Sequence, residues 1–375
     1  MPETSSTPSL PATKRLASID ALRGFDMLMI SGAGSFFFLL HGKTSLPWVD
    51  ALAAQFEHPE WNGFTFYDFI FPLFLFIAGV SLAFSLNSTR SRESTKADLY
   101  RKAAKRMLIL IGLGILYKNA PVPFFEPAQI RLGSVLGRIG FAGFVTTLLY
   151  LNFSPRGRIM WIAGILLTYY AALFLIPVPG YGAGDLSFEG NLVGWFDRHF
   201  LPGRLLQKTY DELGLLTQLP ALCLTMLGAF GGDILRSAAE DRQKLFRLIG
   251  LGVGGIVIGL LWGLHFPINK HLWSSSFILL TAGLAFLSLA LFYAIIDVWG
   301  YRKWAFFFQV IGLNSLTIYL AYRFIDFRRT SYLLFGGAYE PTPEPWHEVW
   351  QALGALALVW LFLYFLYRKR IFLKI

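Results

Sequence analysis

The stretch Thr65-Phe-Tyr-Asp68-Phe-Ile-Phe-Pro72-Leu-Phe-Leu-Phe-Ile-Ala-Gly79-Val-Ser-Leu-Ala-Phe-Ser-Leu-Asn87 decides the fold. Asp68 is its one acidic or basic side chain. A helix needs about 20 mostly apolar residues to cross the hydrocarbon core of a bilayer, and this segment has the length and the composition. Nine more segments read the same way: 20–40, 103–118, 132–151, 158–177, 215–235, 245–266, 272–295, 304–323 and 348–367. The 375-residue chain is 55% hydrophobic and 15% charged, against about 25% charged in soluble domains. It has too few polar side chains to cover a globule in water, so lipid must be the solvent for most of its surface. These readings predict an all-α, polytopic membrane helical bundle of about ten transmembrane helices. Residues 15–375 form a single domain in this reading. The Ser-, Thr- and Pro-rich residues 1–14 read as a disordered N-terminal tail rather than a cleavable signal.

The net charge of +10 does not point to nucleic acid, because the basic residues lie in short loops between apolar spans. With the N-terminus inside, inner segments carry 22 Lys and Arg and outer segments 10, with Arg138 left within a span. That asymmetry follows the positive-inside rule and predicts both termini in the cytoplasm. The single cysteine, Cys223, excludes a disulfide framework or thiolate metal site within one chain, and no metal is expected.

Ionisable groups inside spans mark candidate sites. Asp20 and Arg23 are three apart in Asp20-Ala-Leu-Arg23-Gly24, so they share a helical face and can pair. They read either as an interfacial anchor or as a phosphate grip for a nucleotide-bearing cofactor. Arg138 is either a structural arginine paired with a buried acid such as Asp26 or Asp233, or a cofactor contact. His58 sits in an outer loop, Glu57-His58-Pro-Glu-Trp61-Asn62-Gly63, and imidazole is the side chain suited to take a proton near neutral pH. Asp68 can orient that ring, but Thr65-Phe-Tyr-Asp68 is also a capping-box pattern. Asn269, Lys270 and His271, with Asp211 before the sixth span, can hold a sugar by hydrogen bonds. Asn314 reads as polar glue between helices. A transporter or flippase for a glycan or lipid-linked precursor would also account for many spans and buried charges.

Five separated motifs resemble one family. They are Asp20-Ala-Leu-Arg23-Gly24; His58-Pro-Glu-Trp61-Asn62-Gly63 running on to Asp68 and Gly79; Arg131-Leu-Gly-Ser-Val-Leu-Gly-Arg138-Ile-Gly140; Pro267-Ile-Asn269-Lys270-His271-Leu-Trp273; and Gly312-Leu-Asn314-Ser-Leu-Thr-Ile-Tyr319. From about Arg15 onward the chain resembles the heparan-alpha-glucosaminide N-acetyltransferase family and its bacterial relatives. The resemblance implies a multi-span acyltransferase using cytoplasmic acetyl-CoA as co-substrate and a glycan or other small-molecule acceptor outside. It implies an integral protein of a bacterial plasma membrane, and it allows a homodimer. The family's catalytic histidine falls on His58, and Asp68, from its place at the start of the second span, is the residue expected to orient it. Arg23, Arg138 and Asp20 are the expected donor-binding residues, and Trp61, Asn62, Asn269, Lys270, His271 and Asp211 the expected acceptor-binding residues. Where the lysosomal member carries a functional asparagine, ten residues after its Arg-Gly pair, this chain has Gly34.

Overall fold

A computed structural model describes residues 16–373; the tail expected over residues 1–14 lies outside them. The described residues fold as helices without a paired strand. Among the described residues, seven helices are long and apolar enough to cross a membrane: α4 (Phe66–Leu86), α7 (Val135–Asn152), α8 (Pro155–Leu175), α10 (Gln218–Arg236), α11 (Asp241–Gly263), the helix Ser275–Val298 that opens with α12 (Ser275–Phe292), and α16 (His347–Arg368). An eighth span exists if α13 (Ala305–Leu313) and α14 (Ser315–Phe324), bent by 67° at Asn314, are taken as one.

The two remaining segments of the ten expected depart for physical reasons. Segment 20–40 is interrupted: α1 (Ala17–Leu28) runs through a π-turn (Met29–Ala33) into α2 (Gly34–Phe38). The break is at Ser31–Gly32, where Gly32 takes a φ of 117° that a residue with a Cβ rarely adopts. Segment 103–118 lies inside a longer helix, α6 (Lys96–Asn119), whose first turns carry Asp98, Arg101, Lys102, Lys105 and Arg106. The remaining helices are α3 (Pro47–Ala54), α5 (Thr89–Arg92), α9 (Leu192–Phe200) and α15 (Phe327–Tyr339).

Side-chain caps open several of the helices by satisfying amide groups that would otherwise lack partners. Ser134, Ser154, Asn191 and Ser274 accept the first free N–H groups of α7, α8, α9 and α12. Thr65 and Thr95 open α4 and α6 with capping boxes closed by Asp68 and Asp98. Close helix packing is set by glycine. A Cβ on Gly79 of α4 would run into the Thr225 carbonyl of α10, and one on Gly228 into the Phe76 carbonyl. Gly24 of α1 and Gly312 of α13 meet in the same manner. These contacts pair α4 with α10 and α1 with α13; Leu22 of α1, Leu73 and Phe76 of α4 and Phe286 of α12 share one buried core. By contrast, α11 buries only 17% of its apolar window; its Val253, Val257 and Leu261 are exposed, as lipid-facing residues should be.

Asn314 departs from the expected role of interhelical glue. It forms the hinge of the broken span, with φ −121°. Its Oδ1 accepts from the Thr317 hydroxyl at 3.3 Å, and its Nδ2 is buried with no hydrogen-bond partner.

Candidate active site

The loop 55–64 and the start of α4 build the site's floor. Asp68 is 1% exposed, and its two oxygens do different work. Oδ2 accepts the Thr65 backbone N–H at 3.1 Å and so caps α4. Oδ1 lies 2.6 Å from Nδ1 of His58. The capping and ring-orienting roles, alternatives in the sequence, coexist. A carboxylate only accepts, so Nδ1 carries the proton and Nε2 is left as the basic atom. The His58 ring is 41% exposed, and Tyr67 stacks on it with centroids 5.0 Å apart.

Lys270 completes the group. Its Nζ lies 3.1 Å from Nε2 of His58 and 3.4 Å from Asp68 Oδ1. The lysine arrives from the far side of the sequence on the turn between α11 and α12, where Trp273 N–H bonds to the Lys270 carbonyl and Ser274 N–H to that of Asn269. Trp273 holds a φ of 50°, a conformation uncommon for a bulky residue and most often found at functional sites.

Other expected contacts are bonded to one another and to neighbouring loops. Asn269, 1% exposed, donates to Asn62 Oδ1 at 3.0 Å and accepts from Leu272 N–H; with the Gly63-to-Ile268 backbone bond it clamps the two active loops together. Trp61 donates to the Leu186 carbonyl and stacks on His271, 7° from parallel. Tyr210 hydrogen bonds His271 Nδ1 at 2.7 Å. Burial lowers the basicity of the His271 imidazole, which suits a neutral ring in an aromatic wall. Asp211 is fully buried and binds Arg131 through two hydrogen bonds of 2.7 and 2.8 Å. Neighbouring Asp197 takes the N–H groups of Asp211 and Leu215, and burial pushes its carboxyl up to about 6.

A second feature lies at the other end of α4. Two adjoining clefts, of about 510 and 640 Å³, are both lined by Ala78, Ser85, Arg106 and Ile139. Each volume falls in the about 300–1,000 Å³ range of small-molecule sites. Lys102, Lys105 and Arg106 line one end; Arg23, Ser81, Phe74 and Tyr319 line the deeper part. Arg23 donates to Ser81 Oγ at 2.5 Å and pairs with Asp20 at 3.3 Å. At 1.5 Å rise per residue, the end at Ser85 lies about 26 Å from Asp68 along α4, and the deep end at Phe74 about 9 Å.

Arg138 is not among the residues lining either cleft. Its guanidinium lies over the Trp273 ring and donates to Thr217 Oγ1 and the Glu212 carbonyl. Neither acid considered for it is its partner: Asp233 pairs with Arg158 and Arg236, and Asp26 is buried with both carboxyl oxygens unbonded. The sequence reading missed Lys102, Lys105 and Arg106 as cleft residues. Their signal was available in the basic run before the third apolar segment.

A family described as a domain of unknown function, DUF5009, matches residues 15–154. The mouse heparan-alpha-glucosaminide N-acetyltransferase is 26% identical over 97% of this chain and 61% of its own length. The chain thus spans about three fifths of the curated relatives it matches. Over 96% of its length it is similar, at 28% identity, to the human heparan-alpha-glucosaminide N-acetyltransferase.

Proposed function

We propose that this protein is a membrane acyltransferase that moves an acetyl group from cytoplasmic acetyl-CoA to an amino sugar or related glycan on the extracytoplasmic side. The carrying observation is the His58–Asp68–Lys270 group, set at one end of α4 while a basic cleft opens at the other. Lys102, Lys105 and Arg106 are suited to the phosphates of the donor, and Arg23, preorganised by Asp20 and Ser81, to a polar group deeper in the cleft. The charge asymmetry of the loops supports a cytoplasmic location for the basic end.

In this reading His58 Nε2 takes a proton from the acceptor amine as nitrogen attacks the thioester carbonyl. Asp68 holds the tautomer and stabilises the imidazolium that forms. The proton then passes to the departing thiolate. One carbon–nitrogen bond forms and one carbon–sulfur bond breaks. Direct transfer needs only this one base. A bacterial plasma membrane is the proposed location, and a homodimer the proposed assembly by resemblance alone.

The test is acetyl transfer to amino sugars by the purified protein. Turnover should fall about 10²–10⁴-fold in His58→Ala; unchanged turnover removes His58 from the mechanism. The second reading, a transporter or flippase, is favoured by the two interrupted spans, a feature of many transporter binding sites. A transporter would neither bind nor consume acetyl-CoA, so isothermal binding of that thioester separates the two.

A further inference from the structure

A cation beside the atom that must accept a proton needs an explanation. Lys270 Nζ stands 3.1 Å from Nε2 of His58 and 3.4 Å from Asp68 Oδ1. It therefore occupies the place an acceptor's ammonium would take, between a carboxylate that binds it and an imidazole that can deprotonate it. The side chain is only 13% exposed, so its amine is presented to the active-site base more than to bulk solvent. Its backbone is fixed by the turn that ends in Trp273 and by the Asn269–Asn62 clamp, which keeps the amine at the base.

We propose that Lys270 is itself an acetylation site, modified within its own active centre when no external amine fills it. This rests on the acyltransferase reading above. The ammonium gives one proton to His58 Nε2, and the free amine attacks the thioester carbonyl. A carbon–nitrogen bond forms and the carbon–sulfur bond breaks. His58 returns its proton to the thiolate, while the attacking nitrogen loses its second proton to solvent. Nothing is oxidised or reduced. The product amide is stable and does not hand the acetyl group on. It removes the cation and fills the acceptor position, so transfer activity declines as modification accumulates.

The experiment uses the full chain purified in detergent, incubated with acetyl-CoA and no acceptor, followed by peptide mass spectrometry. Lys270 should be acetylated well ahead of exposed Lys208, although chemical acetylation favours exposed amines. An excess of glucosamine should suppress the mark. His58→Ala and the more conservative His58→Gln should both abolish it while melting at the wild-type temperature, as expected for a half-exposed ring. A bare Lys270 in protein that acetylates glucosamine overturns self-acetylation and leaves the acyltransferase reading standing. Equal labelling of Lys208 and Lys270, indifferent to the His58 variants, also overturns it. Transfer to neither glucosamine nor Lys270 overturns both.

Discussion

At the scale of the residue, Asp68 carries two duties because its oxygens point at different donors. Asparagine supplies one acceptor oxygen and a donor amide, so Asp68→Asn either gives up the Thr65 cap or keeps it and donates to His58 Nδ1, which moves the imidazole proton to Nε2. Loss of a helix cap costs about 0.5–2 kcal/mol, and loss of the orienting carboxylate in a comparable triad lowers kcat about 10⁴-fold. The expected outcome is a small drop in melting temperature with a much larger loss of transfer rate. Paired denaturation and kinetic measurements on the variant decide it. Asp197 makes the opposite kind of prediction. Its folded carboxyl is raised to about 6 from an ordinary 3.8, chiefly by burial. The folded state therefore binds the proton more tightly than the unfolded chain, and stability falls as pH rises from about 4 through 6. Melting curves at pH 5 and 7 should show the protein more stable at the lower value on this account. In Asp197→Asn that difference should shrink. The sequence pointed to His58 and Asp68 through local spacing. It could not show that Asn269 and Asp211 are buried, because burial depends on chain segments 207 and 80 positions away in their partners Asn62 and Arg131.

Among the helices, the apolar runs located most spans, since length and polarity are local properties. The breaks at Gly32 and Asn314 were not readable, because each depends on how α1 and α13 pack. The glycine crossings carry a specific prediction. Gly228→Ala would drive a methyl into the Phe76 carbonyl of α4, and overpacking of this kind typically costs about 1–3 kcal/mol. Gly254→Ala, on α11, meets nothing within 4 Å. It should be tolerated, with a gain of up to about 1 kcal/mol from helix propensity. Thermal unfolding in detergent should separate the two variants clearly. Equal behaviour would mean that α4 and α10 do not approach as closely as the glycines permit.

For the whole molecule, everything functional depends on sidedness. The orientation argument uses 22 basic residues on one side and 10 on the other. The α4 geometry independently separates His58 from the basic cleft mouth by most of a membrane thickness. Cys223 is fully buried, so the wild-type chain offers a quiet background for thiol labelling. Single cysteines at Glu60, beside the histidine, and at Gln243, in the first turn of α11, are both exposed. A membrane-impermeant maleimide added to intact cells should modify residue 60 at once, and residue 243 only after permeabilisation. The reverse pattern would put the histidine in the cytosol and the basic cleft mouth outside. Donor and acceptor could not then arrive from opposite sides, since acetyl-CoA would have to enter where the cell does not supply it.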